Sequence, residues 1–157
     1  MGVTELFSDP YLHGGGLHCS KNGGKLDIHL DYSLHPKLKM ERRCNLILYL
    51  SPNWDENWGG HFEMWNQDIS KCEKRVAPKF NRAVIFNTDD HSFNGHPDPI
   101  ACPENVSRNS IALYYLTKPR ENASSRPRAR FFKRPQDPDD AALEEFRKKR
   151  SEVSGVY

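Results

Sequence analysis

Residues 25–33 read KLDIHLDYS and decide the fold, because apolar and polar side chains alternate strictly along them. Apolar residues fill the even positions from 26 to 30, and polar residues fill the odd positions from 27 to 31. Successive side chains of a β-strand point to opposite faces, so the pattern predicts a strand with one polar face. His29 and Asp31 share that face at roughly 6–7 Å, and both can reach one metal ion. A surface strand is the alternative interpretation, because isolated His-x-Asp pairs are common by chance.

Three further stretches predict buried strands because they are short, apolar and rich in β-branched or aromatic residues. They are NLILYLS (45–51), RAVIFNT (82–88) and SIALYYLT (110–117). Segments rich in Gly, Pro and Asn separate the strands, and turns are expected there. We see no long amphipathic helix pattern in the first 117 residues. The sequence therefore predicts an all-β sandwich or jelly roll rather than a parallel α/β sheet.

The 40 C-terminal residues differ in composition from the rest of the chain. The first 117 residues carry 12 basic and 14 acidic side chains, whereas the last 40 carry 11 and 7. We therefore expect one domain over residues 1–118 and a basic, largely disordered tail over 119–157. Within the tail, acidic residues precede and basic residues follow a short apolar stretch, which predicts a helix at 138–150. The run RPRARFFKR (126–134) is read as a solvated segment rather than a nucleic-acid site.

Composition also indicates the cellular compartment in which we expect the protein. The four cysteines are widely spaced and form no Cys-x-x-Cys pair, which favours reduced thiols over a zinc ribbon. No run of about 18 apolar residues is present, so we expect no membrane span. The chain opens without a charged-then-apolar leader, and we expect an intracellular protein. The sequence does not indicate an oligomeric state.

The segment after Phe86 supplies the other groups that a metal site on this strand requires. His91 and His96 follow Phe86, and Arg108 enters the last apolar strand. Two histidines and one carboxylate on one face of a metal are typical of non-haem Fe(II) oxygenases. An arginine can bind a planar carboxylate with two parallel hydrogen bonds, and Ser110, two residues on, shares its face.

These stretches together resemble the Fe(II)/2-oxoglutarate dioxygenases of the prolyl 4-hydroxylase type, including the oxygen-sensing enzymes. The resemblance covers about residues 11–117, and the order and spacing of its segments are more specific than any one of them. It is carried by GGGLHCSKNGGKLDIHLDYS (14–33), RRCNLILYLSPNWDENWGGHFEMW (42–65), APKFNRAVIFNTDDHSFNGHPDPI (77–100) and SRNSIALYYLT (107–117). In that family a helical and strand segment usually precedes GGGLH, and here only about a dozen residues do.

The resemblance implies a double-stranded β-helix and a set of site residues. His29 and Asp31 would be iron ligands, and no catalytic group beyond the iron centre is implied. Arg108 would bind the distal carboxylate of 2-oxoglutarate, with Ser110 nearby and Tyr49 contacting the same carboxylate. The implied cofactor and cosubstrates are Fe(II), 2-oxoglutarate and O2, and ascorbate is expected to help keep the iron ferrous.

The third iron ligand is where the sequence departs from the family pattern. Counted from Phe86, the position of that ligand falls on Asn94 rather than on a histidine. A shift of two residues keeps a side chain on the same face of an extended segment, so we expect His96 to be the ligand. His91 and Asn94 are the alternatives, and an amide oxygen is a weaker ligand than an imidazole.

The resemblance favours prolyl residues in a peptide or protein as the substrate. A free amino acid or another small molecule is the alternative. A different class of function is a non-catalytic jelly-roll binding module with a degenerate iron site. His18, Arg42 and His61 are the candidates for the mouth through which a substrate enters.

Overall fold

The structure is a computed structural model that describes residues 2–152. It contains ten β-strands, one short 3-10 helix and one α-helix. The strands are β1 Phe7–Ser8, β2 Gly16–Ser20, β3 Leu26–Leu30, β4 Glu41–Tyr49, β5 Phe62–Trp65, β6 Cys72–Val76, β7 Ala83–Asn87, β8 Asn94–His96, β9 Arg108–Thr117 and β10 Arg130–Phe131. The 3-10 helix is Glu56–Trp58 and α1 is Ala141–Glu152.

The strands form two antiparallel sheets. Sheet A has the order β1-β9-β4-β7, and β2 also pairs with β9. Its long strands β4 and β9 pair from Glu41 opposite Thr117 to Tyr49 opposite Ser110, with one register shift between Arg42 and Cys44. Sheet B has the order β10-β3-β8-β5-β6. The strands predicted from the apolar runs correspond to β4, β7 and β9.

The inner faces of the two sheets pack together at one end and leave a cavity at the other. Phe62 of sheet B and Phe86 of sheet A stack with 4.8 Å between ring centroids, beside the fully buried Tyr49. Two facing antiparallel sheets form the double-stranded β-helix, and the predicted all-β fold class with little helix is confirmed.

The outer face of sheet B is covered by the C-terminal segment. The apolar side of β3 packs there with other buried side chains into one cluster, comprising Ile28, Leu30, Trp65, Ile69 and Phe93. Phe132 packs against this cluster, with its ring centroid 5.3 Å from that of Phe93. Next to it, β10 extends sheet B by pairing with β3.

The described part of the tail is therefore more ordered than the sequence predicted for 119–157. The guanidinium of Arg126 is buried, donating from Nε to the Asp31 carbonyl at 2.7 Å and lying 2.6 Å from a carboxylate oxygen of Asp90. Arg147 of α1 is buried as well and donates to Asp27 at 2.8 Å. Tail arginines that composition assigns to solvent thus form internal ion pairs. The helix predicted at 138–150 lies at Ala141–Glu152, and residues 153–157 lie outside the described residues.

The structure also shows whether a helix could cross a membrane and whether the cysteines are paired. Between residues 2 and 152, no helix combines the length and apolarity needed to cross a membrane. All four cysteines are free thiols, and Cys44 and Cys102 are buried.

Candidate active site

The cavity between the sheets has a volume of about 440 Å³. This volume is within the range of small-molecule binding sites. Side chains from both sheets line it, and the predicted site residues that it brings together are His29, Asp31, Asn94, His96, Arg108 and Ser110. One end is therefore rich in metal ligands and the other end contains a buried arginine.

His29 on β3 is buried and its ring is oriented by the backbone. Its Nδ1 lies 3.0 Å from the carbonyl oxygen of Asp27. A carbonyl can only accept, so Nδ1 carries the proton and Nε2 of the neutral ring is an acceptor. Nε2 faces a carboxylate oxygen of Asp31 at 3.5 Å. Two acceptors that converge in this way are stabilised by a cation between or beside them, as in a metal site.

Asp31 is ionised despite its burial. Arg42 lies 3.2 Å from one carboxylate oxygen, and Nδ2 of Asn45 donates to the other at 2.9 Å. Burial opposes the charge, but the positive charge of Arg42 and the hydrogen bond from Asn45 hold the pKa of Asp31 far below its ordinary value. Arg42 is itself fixed by the Tyr114 ring, whose centroid lies 3.3 Å from its guanidinium carbon. The carboxylate is thus available as an anionic ligand at neutral pH.

Asn94 and His96 both lie on β8, but they occupy different positions in the cavity. Asn94 pairs directly with His29, whereas His96 pairs with Leu26, beyond an irregularity in the register. His96 is buried, and its Nδ1 has no hydrogen-bond partner in the structure. Burial, followed by the positive charge of Arg108 and the proximity of His29, lowers the pKa of His96 to about 3. His96 is therefore a neutral imidazole inside the cavity.

The residues fit an iron ion at two of the three expected ligand positions. The geometry of His29 and Asp31 fits, as argued above. Within residues 2–152 no group of three His, Cys, Asp or Glu side chains is placed to hold a metal. His91, one of the alternatives, lies on the loop before β8, is exposed and does not line the cavity. The assignment of His96 as third ligand stays a prediction.

Arg108 occupies the other end of the cavity and is nearly fully buried. Its Nε donates to the Gly60 carbonyl at 2.7 Å, and its Nη2 donates to the Tyr49 hydroxyl at 3.3 Å. No carboxylate lies within ion-pair distance of it among the residues that the structure describes. Burial lowers the pKa of Arg108, because a guanidinium without a counter-ion is poorly solvated there. Such a cation requires an anionic ligand.

Ser110 completes this anion-binding end. It is fully buried and lies directly opposite Tyr49 in the pairing of β4 with β9. Arg108 and Ser110 therefore line this end of the cavity, whereas Tyr49 does not line it and its hydroxyl accepts from Arg108. A guanidinium beside a hydroxyl matches a carboxylate.

Gly60 allows Arg108 to reach this position, and its replacement gives a testable prediction. Gly60 has φ +67, and a Cβ there would lie 2.9 Å from Cδ of Arg108. We expect Gly60→Ala to displace the guanidinium and weaken 2-oxoglutarate binding by at least about tenfold, as measured by isothermal titration. Gly23→Ala is the matched control, because Gly23 has φ +77 with nothing within 4 Å. Equal affinities for the two variants would contradict the role of Gly60.

The neutral His96 gives a second prediction, for the metal-free protein in the presence of a chelator. Its pKa is about 3 in the folded state and ordinary in the unfolded chain, so between these values only the unfolded chain binds the proton. The free energy of unfolding is therefore expected to fall as the pH falls below about 6.5, by about 2 kcal/mol at pH 5 for this group. Urea denaturation at pH 7 and pH 5 should show this fall in the free energy of unfolding reduced by about 2 kcal/mol in His96→Gln but not in the exposed variant His91→Gln. The same fall in His96→Gln as in wild type would contradict the assignment.

Two of the three candidates for the substrate mouth line the cavity. His18 of β2 and Arg42 of β4 line the cavity. His61 does not, and its Nε2 lies 4.0 Å from a carboxylate oxygen of Glu56, the first residue of the 3-10 helix. Arg42 contacts Asp31 rather than the rim, so His18 alone of the three is placed at the opening.

Sequence reasoning missed two residues that shape the site. Asn45 holds both Arg42 and Asp31 through its side-chain amide. A polar residue at an inward position of the apolar strand NLILYLS was the signal that could have identified it. Arg126 bonds the backbone of Asp31 from the tail, and no local pattern indicates that contact.

The chain is similar to a family of known proteins. The family profile described as the 2OG-Fe(II) oxygenase superfamily matches residues 15–116. Prolyl 3-hydroxylase OGFOD1 of Mus musculus is 31% identical over 86 residues, which cover 50% of this chain and 15% of the relative. The chain thus spans under a sixth of the length of this curated relative.

Two solved structures are also similar. A prolyl hydroxylase from Trichoplax adhaerens, in complex with a hypoxia inducible factor oxygen degradation domain peptide fragment, has a TM-score of 0.48 and 21% identity, covering 64% of this chain and 41% of that chain. A prolyl 4-hydroxylase from Phytophthora capsici has a TM-score of 0.49 and 21% identity, covering 86% of this chain and 41% of that chain.

The matched range of the family profile is well over half of the chain. The protein therefore belongs to the 2OG-Fe(II) oxygenase superfamily, a class of 2-oxoglutarate-dependent dioxygenases. Fe(II), 2-oxoglutarate and O2 are the cofactor and cosubstrates of this class.

Proposed function

We propose that the protein hydroxylates a C–H bond of a prolyl residue in a peptide or protein, using Fe(II), 2-oxoglutarate and O2. The observation that supports it most is the pairing of two ends in one cavity. At one end Nε2 of His29 and a carboxylate oxygen of Asp31 lie 3.5 Å apart and could share a cation, and at the other end Arg108 is buried with no acidic partner in the described structure. A dicarboxylate that also binds the metal satisfies both ends at once.

The residues of this chain bind and orient the reactants. Arg108, Tyr49 and Ser110 bind the distal carboxylate of 2-oxoglutarate. His29 and Asp31 would hold the iron, which, when bound, would supply the oxidative decarboxylation of 2-oxoglutarate to succinate and CO2 that is coupled to hydroxylation. Asp31 stays ionised because Arg42 and Asn45 stabilise its charge, and His29 keeps Nε2 toward the cavity because Nδ1 bonds the backbone.

The walls of the cavity limit access of water to the reacting groups. The stacked rings of Phe62 and Phe86 close one end, and Ile47 and Ala112 add apolar surface. A dry site strengthens the electrostatic interactions of the bound cosubstrate. The open side lies next to β2, where Leu17 is 81% exposed and His18 lines the cavity. A substrate would enter on this side, past Leu17 and His18.

The prolyl substrate is supported by the names of the relatives. One relative is a prolyl 3-hydroxylase, and one solved prolyl hydroxylase holds a peptide fragment. A free amino acid or another small molecule is the alternative substrate within the same reaction.

The test is succinate formation from 2-oxoglutarate with Fe(II) and ascorbate, in the presence of a panel of proline-containing peptides. We expect at least one peptide to stimulate turnover and to gain 16 mass units on proline, and Asp31→Ala to abolish both. Stimulation by free amino acids alone would move the substrate to a small molecule. Binding of 2-oxoglutarate without succinate from any substrate would leave a dicarboxylate-binding module and refute the hydroxylase.

A further inference from the structure

We propose that the protein supplies only two metal ligands, His29 and Asp31, and that it retains the metal only together with 2-oxoglutarate. This inference rests on the proposed function and specifies how its metal site works. In this inference Asn94 forms hydrogen bonds and does not ligate the metal. His96 lies in the part of the cavity where 2-oxoglutarate would bind.

The first argument is the orientation of Asn94. Its Nδ2 lies 3.0 Å from the Ser92 carbonyl, 3.4 Å from the His29 carbonyl and 3.4 Å from a carboxylate oxygen of Asp31. All three neighbours are acceptors, so the amide nitrogen faces them and donates. To ligate a metal beside Asp31, Asn94 would have to turn its oxygen to this side, and the oxygen would then meet three oxygens. The hydrogen bonds of Asn94 therefore oppose ligation.

The second argument is that both carboxylate oxygens of Asp31 already have partners in the protein. Arg42 approaches one of its oxygens at 3.2 Å, while Asn45 and Asn94 approach the other at 2.9 and 3.4 Å. The charge of the carboxylate is thus compensated before any metal arrives. A metal must compete with a buried guanidinium for the same oxygen, and this competition weakens binding of the metal alone.

The third argument is the place of His96. In the pairing of β3 with β8, Asn94 is the residue opposite His29, and His96 is two residues farther along beside Leu26. Its side chain lines the cavity and its Nδ1 is buried without a hydrogen-bond partner. It forms no group of three ligands with His29 and Asp31 in the described part of the chain. An unpaired buried nitrogen in the cavity suits a polar atom of the cosubstrate.

The consequence is a strong coupling between metal and cosubstrate. With two ligands from the protein, the donor atoms of 2-oxoglutarate supply a large share of the metal's coordination. Coupling between two ligands is reciprocal, so 2-oxoglutarate should also bind weakly without the metal. A third strong protein ligand would reduce the coupling, because the metal would then bind by itself.

The experiment measures Co(II) affinity by titration, with and without 2-oxoglutarate, for wild type, Asn94→His, Asn94→Ala and His96→Ala. For wild type we expect 2-oxoglutarate to tighten Co(II) binding within the usual coupling range of about 5- to 150-fold, near its upper end. Asn94→His should bind Co(II) alone at least about tenfold more tightly than wild type, because imidazole is the better ligand. In the absence of 2-oxoglutarate, the two alanine variants should keep the wild-type affinity for Co(II) within about threefold, because neither side chain ligates the metal. His91→Ala is the matched control for removing a histidine near β8, and circular dichroism checks folding.

Each other outcome overturns the inference. Wild type that binds Co(II) alone as tightly as Asn94→His already has three ligands. A more than tenfold loss in His96→Ala makes His96 the third ligand, and the same loss in Asn94→Ala makes it Asn94. If no variant binds Co(II) and 2-oxoglutarate together, the proposed function fails as well, and this result differs from the three others.

Discussion

Arg108→Met is expected to weaken 2-oxoglutarate binding by about 100- to 1,000-fold, since removing one partner of a buried, hydrogen-bonded charge pair costs about 2–5 kcal/mol. The same substitution should leave the stability of the ligand-free protein unchanged or increase it. Arg108 is a buried charge without an acidic partner in the described structure, and an apolar side chain of similar length does not pay a desolvation penalty. Opposite effects on affinity and stability distinguish a binding residue from a structural one.

Arg108→Lys is the matched variant for this measurement. Lysine keeps the charge but cannot reach Gly60, Tyr49 and a carboxylate with one planar group, so we expect an intermediate loss of affinity. Calorimetry with Mn(II) present gives the affinities, and urea denaturation gives the free energies of unfolding. If Arg108→Met binds 2-oxoglutarate as wild type does, the carboxylate lies elsewhere in the cavity.

The anion-binding end of the site was predictable because its residues lie on regular strands. Arg108 and Ser110 are two residues apart on β9 and therefore share one face. Tyr49, the last residue of β4, lies opposite Ser110. A period of two places such side chains on one face without further information. Gly60 was not predictable to the same degree, because its contact with Arg108 spans 48 residues and depends on a left-handed backbone conformation.

At the metal end, the two-residue period of a strand is not sufficient to predict all of the site residues. His29 and Asp31 follow directly from the alternation in β3. The partner strand β8 is only three residues long, and the register between the two strands shifts between Leu26 and His29. A one-residue irregularity changes which side chain lies opposite a ligand. The period of two alone therefore could not show that Asn94, rather than His96, lies opposite His29.

The tail departs most from the sequence prediction, because its apolar contacts are few and non-local. Phe131 and Phe132 stand among basic residues, and composition alone assigns such a segment to solvent. Phe131 nevertheless pairs with His29 across the edge of sheet B, with ring centroids 5.3 Å apart. Contacts that join residues a hundred positions apart leave no periodic signal.

Deletion of residues 126–157 is accordingly expected to lower the free energy of unfolding by at least about 4 kcal/mol, a large part of the 5–15 kcal/mol typical of a domain. The deletion would expose the edge of β3, uncover the apolar cluster under Phe132 and remove the partner of the Asp31 backbone. An unpaired edge also promotes aggregation. Because β3 contains His29 and precedes Asp31, Co(II) binding in the presence of 2-oxoglutarate should be lost with the fold, and urea denaturation with circular dichroism measures the change.

Single substitutions separate packing from chain length in this prediction. Phe132→Ala is expected to cost about 2–3 kcal/mol, less than a fully buried phenylalanine, because Phe132 is half-buried. Phe146→Ala is the matched control, since Phe146 lies on α1 and is 56% exposed, and a surface substitution changes stability by less than about 0.5 kcal/mol. Equal stability of the two variants would mean that the tail does not cover sheet B in solution. A larger loss of stability in Phe132→Ala than in Phe146→Ala would mean that the tail packs as part of the domain that holds His29 and Asp31. Residues 1–118 alone would then lack the segment that covers β3.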